Sequence, residues 1–366
     1  MDNKKTILVG MSGGVDSTLC ARLLKEQGHN VIGATMNVWD EADRSKLPEN
    51  MPVAKRDACY GPDAAEEVAQ AQALAEKMGI PFYSFNVSEE YSCCVLDYFV
   101  AEYSAGRTPN PCVQCNQNIK FGTLMDKARA QGLVFDQFAT GHYARLLFDE
   151  TTARYYIGRA VDERKDQSYF LYGLKQQQLA QCLFPLGNML KNDVKALASD
   201  YGLGLEEKPE SQNFINGDYT FLFPDKPIPG DIVDRSGKVL GQHKGIIYYT
   251  IGQRKGLGIA STQPLFVLEL DSKKNQVIVG LETELFARTC TAKKVNWQRI
   301  ETLSDVTKVQ VKIRYASDLS GATLTPQANG NVLVTFDEPM KAVTPGQSIV
   351  FYLDNAVLGG GIIEIL

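Results

Sequence analysis

A short apolar run, Ile7-Leu8-Val9, is followed by Leu19, Leu23 and Leu24 at helical spacing, by Gly28, and by a second apolar run from Val31 to Met36. Apolar residues three and four apart mark one face of a helix, whereas a short continuous apolar run between turn residues marks a buried strand. Residues 6–36 therefore predict a β–α–β unit. Asp63 followed three residues later by Glu66 is a capping-box pattern opening a helix through Val68, Leu74 and Met78, closed by Gly79-Ile80-Pro81. A strand over residues 82–87, a helix over 89–103, a loop over 106–111, a helix from about 116 to 130 and a strand over 136–140 continue the alternation. Such alternation predicts an α/β fold whose first domain is a doubly wound parallel sheet.

Beyond Ala160 the texture changes. Residues 165–205 are leucine-rich and read as a small helical central domain. From Pro227 onward, turn signals such as Pro229-Gly230-Asp231, Ser236-Gly237-Lys238 and Asn329-Gly330-Asn331 divide short Val-, Ile- and Tyr-rich runs, as in an all-β barrel region. The expected domains are 1–163, 164–226 and 227–366, in keeping with 366 residues, more than one core usually organises. No apolar run reaches the roughly 18 residues of a membrane span, and the polar amino terminus has no signal-peptide pattern. A cytoplasmic protein without membrane contact is expected. Eight cysteines are too sparse for a disulfide scaffold and are expected as thiols. A net charge of −5 argues against a chain coated by nucleic acid, but not against a local basic surface.

Candidate chemistry begins at Gly10-Met11-Ser12-Gly13-Gly14-Val15-Asp16-Ser17, between the first strand and the first helix. Backbone N–H groups of a glycine turn, joined to a helix amino terminus, form an anion site suited to phosphate. The loop lacks the lysine of a Walker A sequence and the spacing of a dinucleotide fingerprint. It resembles the PP-loop of ATP pyrophosphatases. That resemblance implies ATP, with Ser12, Asp16 and Ser17 supplying hydroxyls and a carboxylate for Mg²⁺.

A second block, Thr108-Pro109-Asn110-Pro111-Cys112-Val113-Gln114-Cys115-Asn116, places a Cys-x-x-Cys at a predicted helix start, where the dipole favours thiolate. With Ile119-Lys120-Phe121, Ala139 to Arg145, Lys165 to Leu171 and Tyr249 to Leu257 following in order, the chain resembles the tRNA-specific 2-thiouridylases of the MnmA type over nearly its whole length. The resemblance implies a tRNA sulfurtransferase that adenylates the C2 oxygen of the wobble uridine with ATP. Sulfur from a persulfide donor protein, a cysteine desulfurase or a relay protein, then displaces AMP to leave 2-thiouridine. It gives residues 1–163 the ATP-binding catalytic role and 164–226 a tRNA-binding role. Cys115 matches the sulfur-transferring cysteine. Gly10, Met11, Ser12, Gly13, Gly14, Val15, Asp16, Ser17, Met36 and Gly141 match nucleotide contacts. Asn110, Pro111, Cys112, His142, Lys165, Asp166, Gln167, Arg314, Tyr315 and Gln347 match tRNA contacts.

One departure stands out. The family carries a second cysteine before Phe-Ile, and this chain reads Glu210-Ser211-Gln212-Asn213-Phe214-Ile215. Three readings follow: Cys112 replaces the lost partner of Cys115, Cys112 and Cys115 ligate an iron–sulfur cluster with Cys59 as a third ligand, or the chain is a paralogue that binds ATP and tRNA with different or no thiolation. Cys93 and Cys94 lie in a helical stretch and read as packing residues. Arg107, Lys120, Arg159 and their basic neighbours in the motif blocks read as a local phosphate-binding surface.

Overall fold

The computed structural model describes residues 4–42, 58–205, 213–215 and 218–365. Residues Lys208 to Gln212 of the departing block lie outside them. The chain forms two compact units. One comprises residues up to Val95, Cys112–Phe221 and Asn355–Val357; the other comprises Leu96–Pro111, Leu222–Asp354 and the residues from Leu358 on.

The first unit is built on β1 (Thr6–Gly10), α1 (Val15–Glu26), β2 (Asn30–Asn37), β3 (Ala58–Tyr60), α2 (Ala64–Lys77), β4 (Phe82–Asn86), β5 (Gln137–Thr140) and, later, β8 (Cys182–Leu183) and α8 (Lys191–Asp200). Five strands pair in the order β4-β2-β1-β5-β8, and every pairing is parallel. Central β1 is covered on both faces, which is why it is a continuous apolar run: Ile7, Leu8 and Val9 are fully buried. Leu19, Cys20 and Leu24 of α1 pack into one core with Ala71 and Leu74 of α2 and Val194 and Ala198 of α8, each buried leucine stabilising by roughly 1.5–3 kcal/mol. The doubly wound sheet and both of its early helices follow the expected pattern, although the Asp63 side chain makes no capping hydrogen bond.

Two features depart from the pattern. The helix expected over residues 89–103 is α3 (Ser88–Tyr91), a π-helical segment Ser92–Leu96 and α4 (Asp97–Ser104). The packing role expected for Cys93 and Cys94 is not met, because Cys93 is exposed and Cys94 half-buried. The helix expected from about 116 begins earlier, as α5 (Pro111–Gln114), with proline at the position where its missing N–H costs nothing. It continues as a nine-residue π-helical segment, Cys115–Thr123, and ends as α6 (Leu124–Ala130).

A hairpin of β6 (Ala144–Asp149) and β7 (Arg154–Arg159) and the short α7 (Gln176–Leu179) complete the first unit, with β9 (Asn213–Ile215) paired in parallel to β3. In the second unit, β10 (Gly230–Asp234), β11 (Val239–His243), β12 (Phe266–Asp271) and β13 (Gln276–Gly280) form a four-stranded sheet. The turn expected at Ser236-Gly237-Lys238 joins β10 to β11, with Gly237 at φ 85°. Then β14 (Phe286–Trp297), β15 (Thr307–Lys312), β16 (Ser320–Pro326), β17 (Val332–Lys341), β18 (Ser348–Leu353) and β19 (Ala356–Glu364) pair in the order β14-β17-β16-β15-β18-β19. Pairing of β19 back onto β14 closes the barrel around Val311, Leu324, Val334, Phe336, Ile349 and Phe351. Among the described residues no helix is long and apolar enough to cross a membrane.

Candidate functional site

The glycine loop leaves β1 at the carboxyl edge of the sheet, where open α/β sheets bind ligands. Gly13 sits at φ 73°, a conformation costly for other residues, and Gly14 caps α1 in extended geometry. The loop is tied internally: the Ser12 N–H donates to Ser17 Oγ at 3.1 Å, and Thr18 Oγ1 donates to the Gly14 carbonyl at 2.8 Å. Gly141, just after β5, presses against the first turn of α1, so closely that a Cβ there would lie 2.7 Å from the Asp16 carbonyl carbon. Met36 lies near the end of β2, half-buried. The loop, Met36 and Gly141 are thus all at strand ends on this edge.

Lys191 is the residue the sequence did not reveal. It opens α8 and its Nζ lies 2.7 and 2.8 Å from the two Asp16 carboxylate oxygens. Tyr143 Oη donates to Asp16 Oδ1 at 2.8 Å, and the Lys191 ammonium sits 5.4 Å from the Tyr143 ring centre. A lysine absent from the loop's own sequence thereby stands beside it. A buried lysine is the signal that could have found it, and burial is a property of the fold.

The second cluster is made of thiols. Cys112 and Cys115 are half-buried and Cys59, on β3, is exposed at its surface. Burial pushes the Cys115 thiol up to about 11; Lys120 opposes that rise and charge on Cys59 adds to it. Burial likewise pushes Cys112 up to about 12, with charge on Cys59 and Cys115 adding and Lys120 opposing. Enough protein stands around the Cys59 sulfur for desolvation to raise it too, against Lys120. The thiolate expected at a helix start is therefore disfavoured, because desolvation outweighs the dipole of a single turn. The Tyr91 hydroxyl is raised by burial first and then by charge on Cys115, Cys59 and Cys112. The π-helical segment carrying Cys115 and Lys120 is held by Gln178, whose Nε2 donates to the carbonyls of Gln117 and Phe121, both at 2.8 Å. Such segments leave carbonyls in need of partners and are frequent at functional sites. Among the described residues no three His, Cys, Asp or Glu side chains gather as a metal-holding group.

The remaining expected residues divide by surroundings. In the first unit, Asp166 is buried and accepts from Arg159 Nε, the Ala160 and Ser168 N–H groups and Ser168 Oγ. Arg159 is thus neutralised inside the fold rather than offered to phosphate. Gln167 exchanges hydrogen bonds with the Tyr143 main chain. His142 packs between Phe121 and Phe184, and burial, then Lys120, hold its pKa well below the ordinary histidine range. Lys165 is half-buried. In the second unit, Gln347 Nε2 donates to the Pro109 carbonyl at 2.9 Å, and the N–H of the buried Asn110 donates to Tyr98 Oη at 3.3 Å. Half-buried Pro111 ends that loop. Arg107 is paired to Glu102, whereas Arg314 and Tyr315 are exposed.

Residues 5–216 match the family described as tRNA methyl transferase HUP domain, residues 222–281 the tRNA methyl transferase PRC-barrel domain, and residues 287–363 the aminomethyltransferase beta-barrel domain. The chain is 43% identical to the tRNA-specific 2-thiouridylase MnmA of Acetivibrio thermocellus, over 99% of this chain and 100% of that protein. It is 44% identical to that of Endomicrobium trichonymphae, over 99% and 100%, and 45% identical to that of Nostoc punctiforme, over 98% and 99%.

Proposed function

The chain belongs to the family of tRNA-specific 2-thiouridylases and is a sulfurtransferase that makes 2-thiouridine in tRNA, and we propose that the two clusters divide this work into adenylation and sulfur delivery. ATP lies at the carboxyl edge of the sheet, with the backbone N–H groups between Gly10 and Ser17 on its pyrophosphate, Met36 toward the adenine and Gly141 beside the loop. Lys191 supplies the positive charge that a Walker lysine supplies elsewhere. Magnesium is commonly held by one or two carboxylates plus substrate phosphates, and Asp16 is the carboxylate that would hold it here; the ion offsets phosphate charge.

The C2 oxygen of the wobble uridine attacks the α-phosphorus and pyrophosphate leaves. Sulfur carried as a persulfide on Cys115 then displaces AMP at C2, its bond to Cys115 Sγ breaking as a second thiol attacks that sulfur, and a dithiol reductant returns the resulting disulfide to thiols. The loop through Asn110, Pro111 and Cys112 meets the unstacked base, while Lys165, Arg314 and Tyr315 contact the RNA. Asp166 and Gln167 shape the stretch that carries Lys165, and Gln347 holds the Thr108–Asn110 loop. Sulfur comes from a persulfide donor protein in the cytoplasm.

The observation that carries this reading is similarity extending over 98% or more of both chains. Supplying the full chain to cells that lack their own 2-thiouridylase, with mass spectrometry of tRNA nucleosides, tests it. Restored 2-thiouridine with the wild type and none with Cys115→Ser is expected. A soluble, folded wild type that restores none rejects it.

A further inference from the structure

Lys191 and Tyr143, the two partners of the Asp16 carboxylate, are both tied to one short stretch of chain, residues 162–167. Lys191 is the first residue of α8, and Leu190 before it supplies no side-chain capping bond. A helix start leaves main-chain N–H groups in need of acceptors, and here an acceptor comes from a distant segment: the Lys191 N–H donates to Asp162 Oδ2 at 3.0 Å. A carboxylate at that place also complements the helix dipole. Asp162 is 5% exposed and is held in a turn of its own, where Oδ1 accepts the Arg164 N–H at 3.2 Å and the carbonyl accepts the Lys165 N–H at 3.0 Å. At the other end of the stretch, Gln167 Oε1 accepts the Tyr143 N–H at 2.9 Å, and the Gln167 N–H donates to the Tyr143 carbonyl at 2.8 Å. Tyr143 is buried, and its hydroxyl is the one that donates to Asp16 Oδ1. A lysine side chain has many rotamers to lose, so its ammonium is placed reproducibly only where the main chain that carries it is fixed.

We propose, resting on the ATP site assigned above, that Asp162 and Gln167 are positioning residues for nucleotide binding. Asp162 acts through Lys191: by capping α8 it sets the ammonium beside the glycine loop, where the phosphates bind. Gln167 acts through Tyr143, whose hydroxyl orients the Asp16 carboxylate. Loss of the Asp162 bond loosens the first turn of α8 and lets the ammonium leave the loop. Loss of the Gln167 side chain removes one of the two main-chain ties on Tyr143.

Calorimetry of the full chain with α,β-methylene-ATP in the presence of Mg²⁺ tests this, because the analogue keeps the triphosphate but resists cleavage at the α-phosphorus. Lys191→Met is expected to weaken binding about tenfold or more. Asp162→Ala is expected to weaken it by a comparable factor alone, but by less than about twofold in the Lys191→Met background, where no ammonium is left to place. Asp162→Asn keeps an oxygen for the Lys191 N–H and is expected to stay within about threefold of the wild type. Gln167→Ala is expected to weaken binding about threefold alone and not further in a Tyr143→Phe background. Urea midpoints are measured alongside, because a cap that only stabilised the fold would lower the midpoint and leave the affinity of the folded chain alone. Wild-type affinity in folded Asp162→Ala, or an equal loss with and without Lys191→Met, overturns the proposal. Where Asp162→Ala does not fold, the Gln167 and Tyr143 pair decides, and equal losses from Gln167→Ala in both backgrounds overturn it. Wild-type affinity in Lys191→Met overturns the ATP site on which the proposal rests as well.

Discussion

Replacing Lys191 by methionine removes one charge from the pair that braces the glycine loop and keeps most of the side-chain volume. The Lys191 side chain is 7% exposed and that of Asp16 24%, and the ammonium meets both carboxylate oxygens. Breaking a buried pair by removing one partner costs about 3–5 kcal/mol, and a single hydrogen bond to a charged group about 1.5–3 kcal/mol. Asp16 keeps the Tyr143 hydroxyl and, one quarter open, regains some water, so Lys191→Met is expected to cost about 2–3 kcal/mol. Asp16→Asn strands the more deeply buried partner and is expected to cost more, about 3–4 kcal/mol. The double variant leaves no unpaired charge and should fall short of the sum by about 1.5–3 kcal/mol. Urea unfolding of the full chain measures this. In a Trp297→Phe background, Trp39, 4% exposed and with its ring tilted 60° to that of Tyr60, reports on the first unit alone. Additivity to within about 0.5 kcal/mol would refute the coupling. ATP-dependent pyrophosphate exchange should fall along with stability, because in the proposed ATP site the same ammonium faces the phosphates.

Other consequences can be measured in the same preparations. With its thiol near 11, Cys115 is about one part in 10⁴ thiolate at pH 7. Alkylation by iodoacetamide should therefore rise about tenfold per pH unit until near that value, and Lys120→Met should slow it further; a profile that levels off near pH 8.5 contradicts the burial argument. The same raised thiols favour the folded state fully below the unfolded thiol pKa of about 8.5. That contribution is lost as pH rises from there through 11, so urea midpoints should decline over that window and recover in part in Cys112→Ala. Gly141→Ala would set a methyl 2.7–2.8 Å from Asp16 and Ser17 backbone atoms, and calorimetry should show ATP affinity reduced about tenfold or more. Gln178→Ala removes both donors to the π-helical carbonyls. A cost of about 1–3 kcal/mol is expected, with faster hydrogen exchange confined to residues 115–123; unchanged protection there would count against Gln178 as the brace.

What the sequence carries well is local. Ile7-Leu8-Val9 reads as a buried strand and Gly13-Gly14 as a phosphate turn because each depends on neighbours within a few residues. The residues missed all depend on distant pairings. Lys191 reaches Asp16 across 175 positions, β3 pairs with β9 more than 150 residues away, and the barrel closes through β14 and β19 rather than through any turn. The thiolate expectation failed for a different reason, one of magnitude. A helix terminus contributes about 0.3–1 kcal/mol at an exposed site, up to about 2 when partly buried. Moving a thiol from the ordinary range near 8.5–9 to about 11 corresponds to roughly 3 kcal/mol. Burial therefore wins over the dipole, and burial is a property of the fold that the Cys-x-x-Cys spacing does not encode. The motif thus locates Cys115, whereas its protonation is decided by what the fold packs around it.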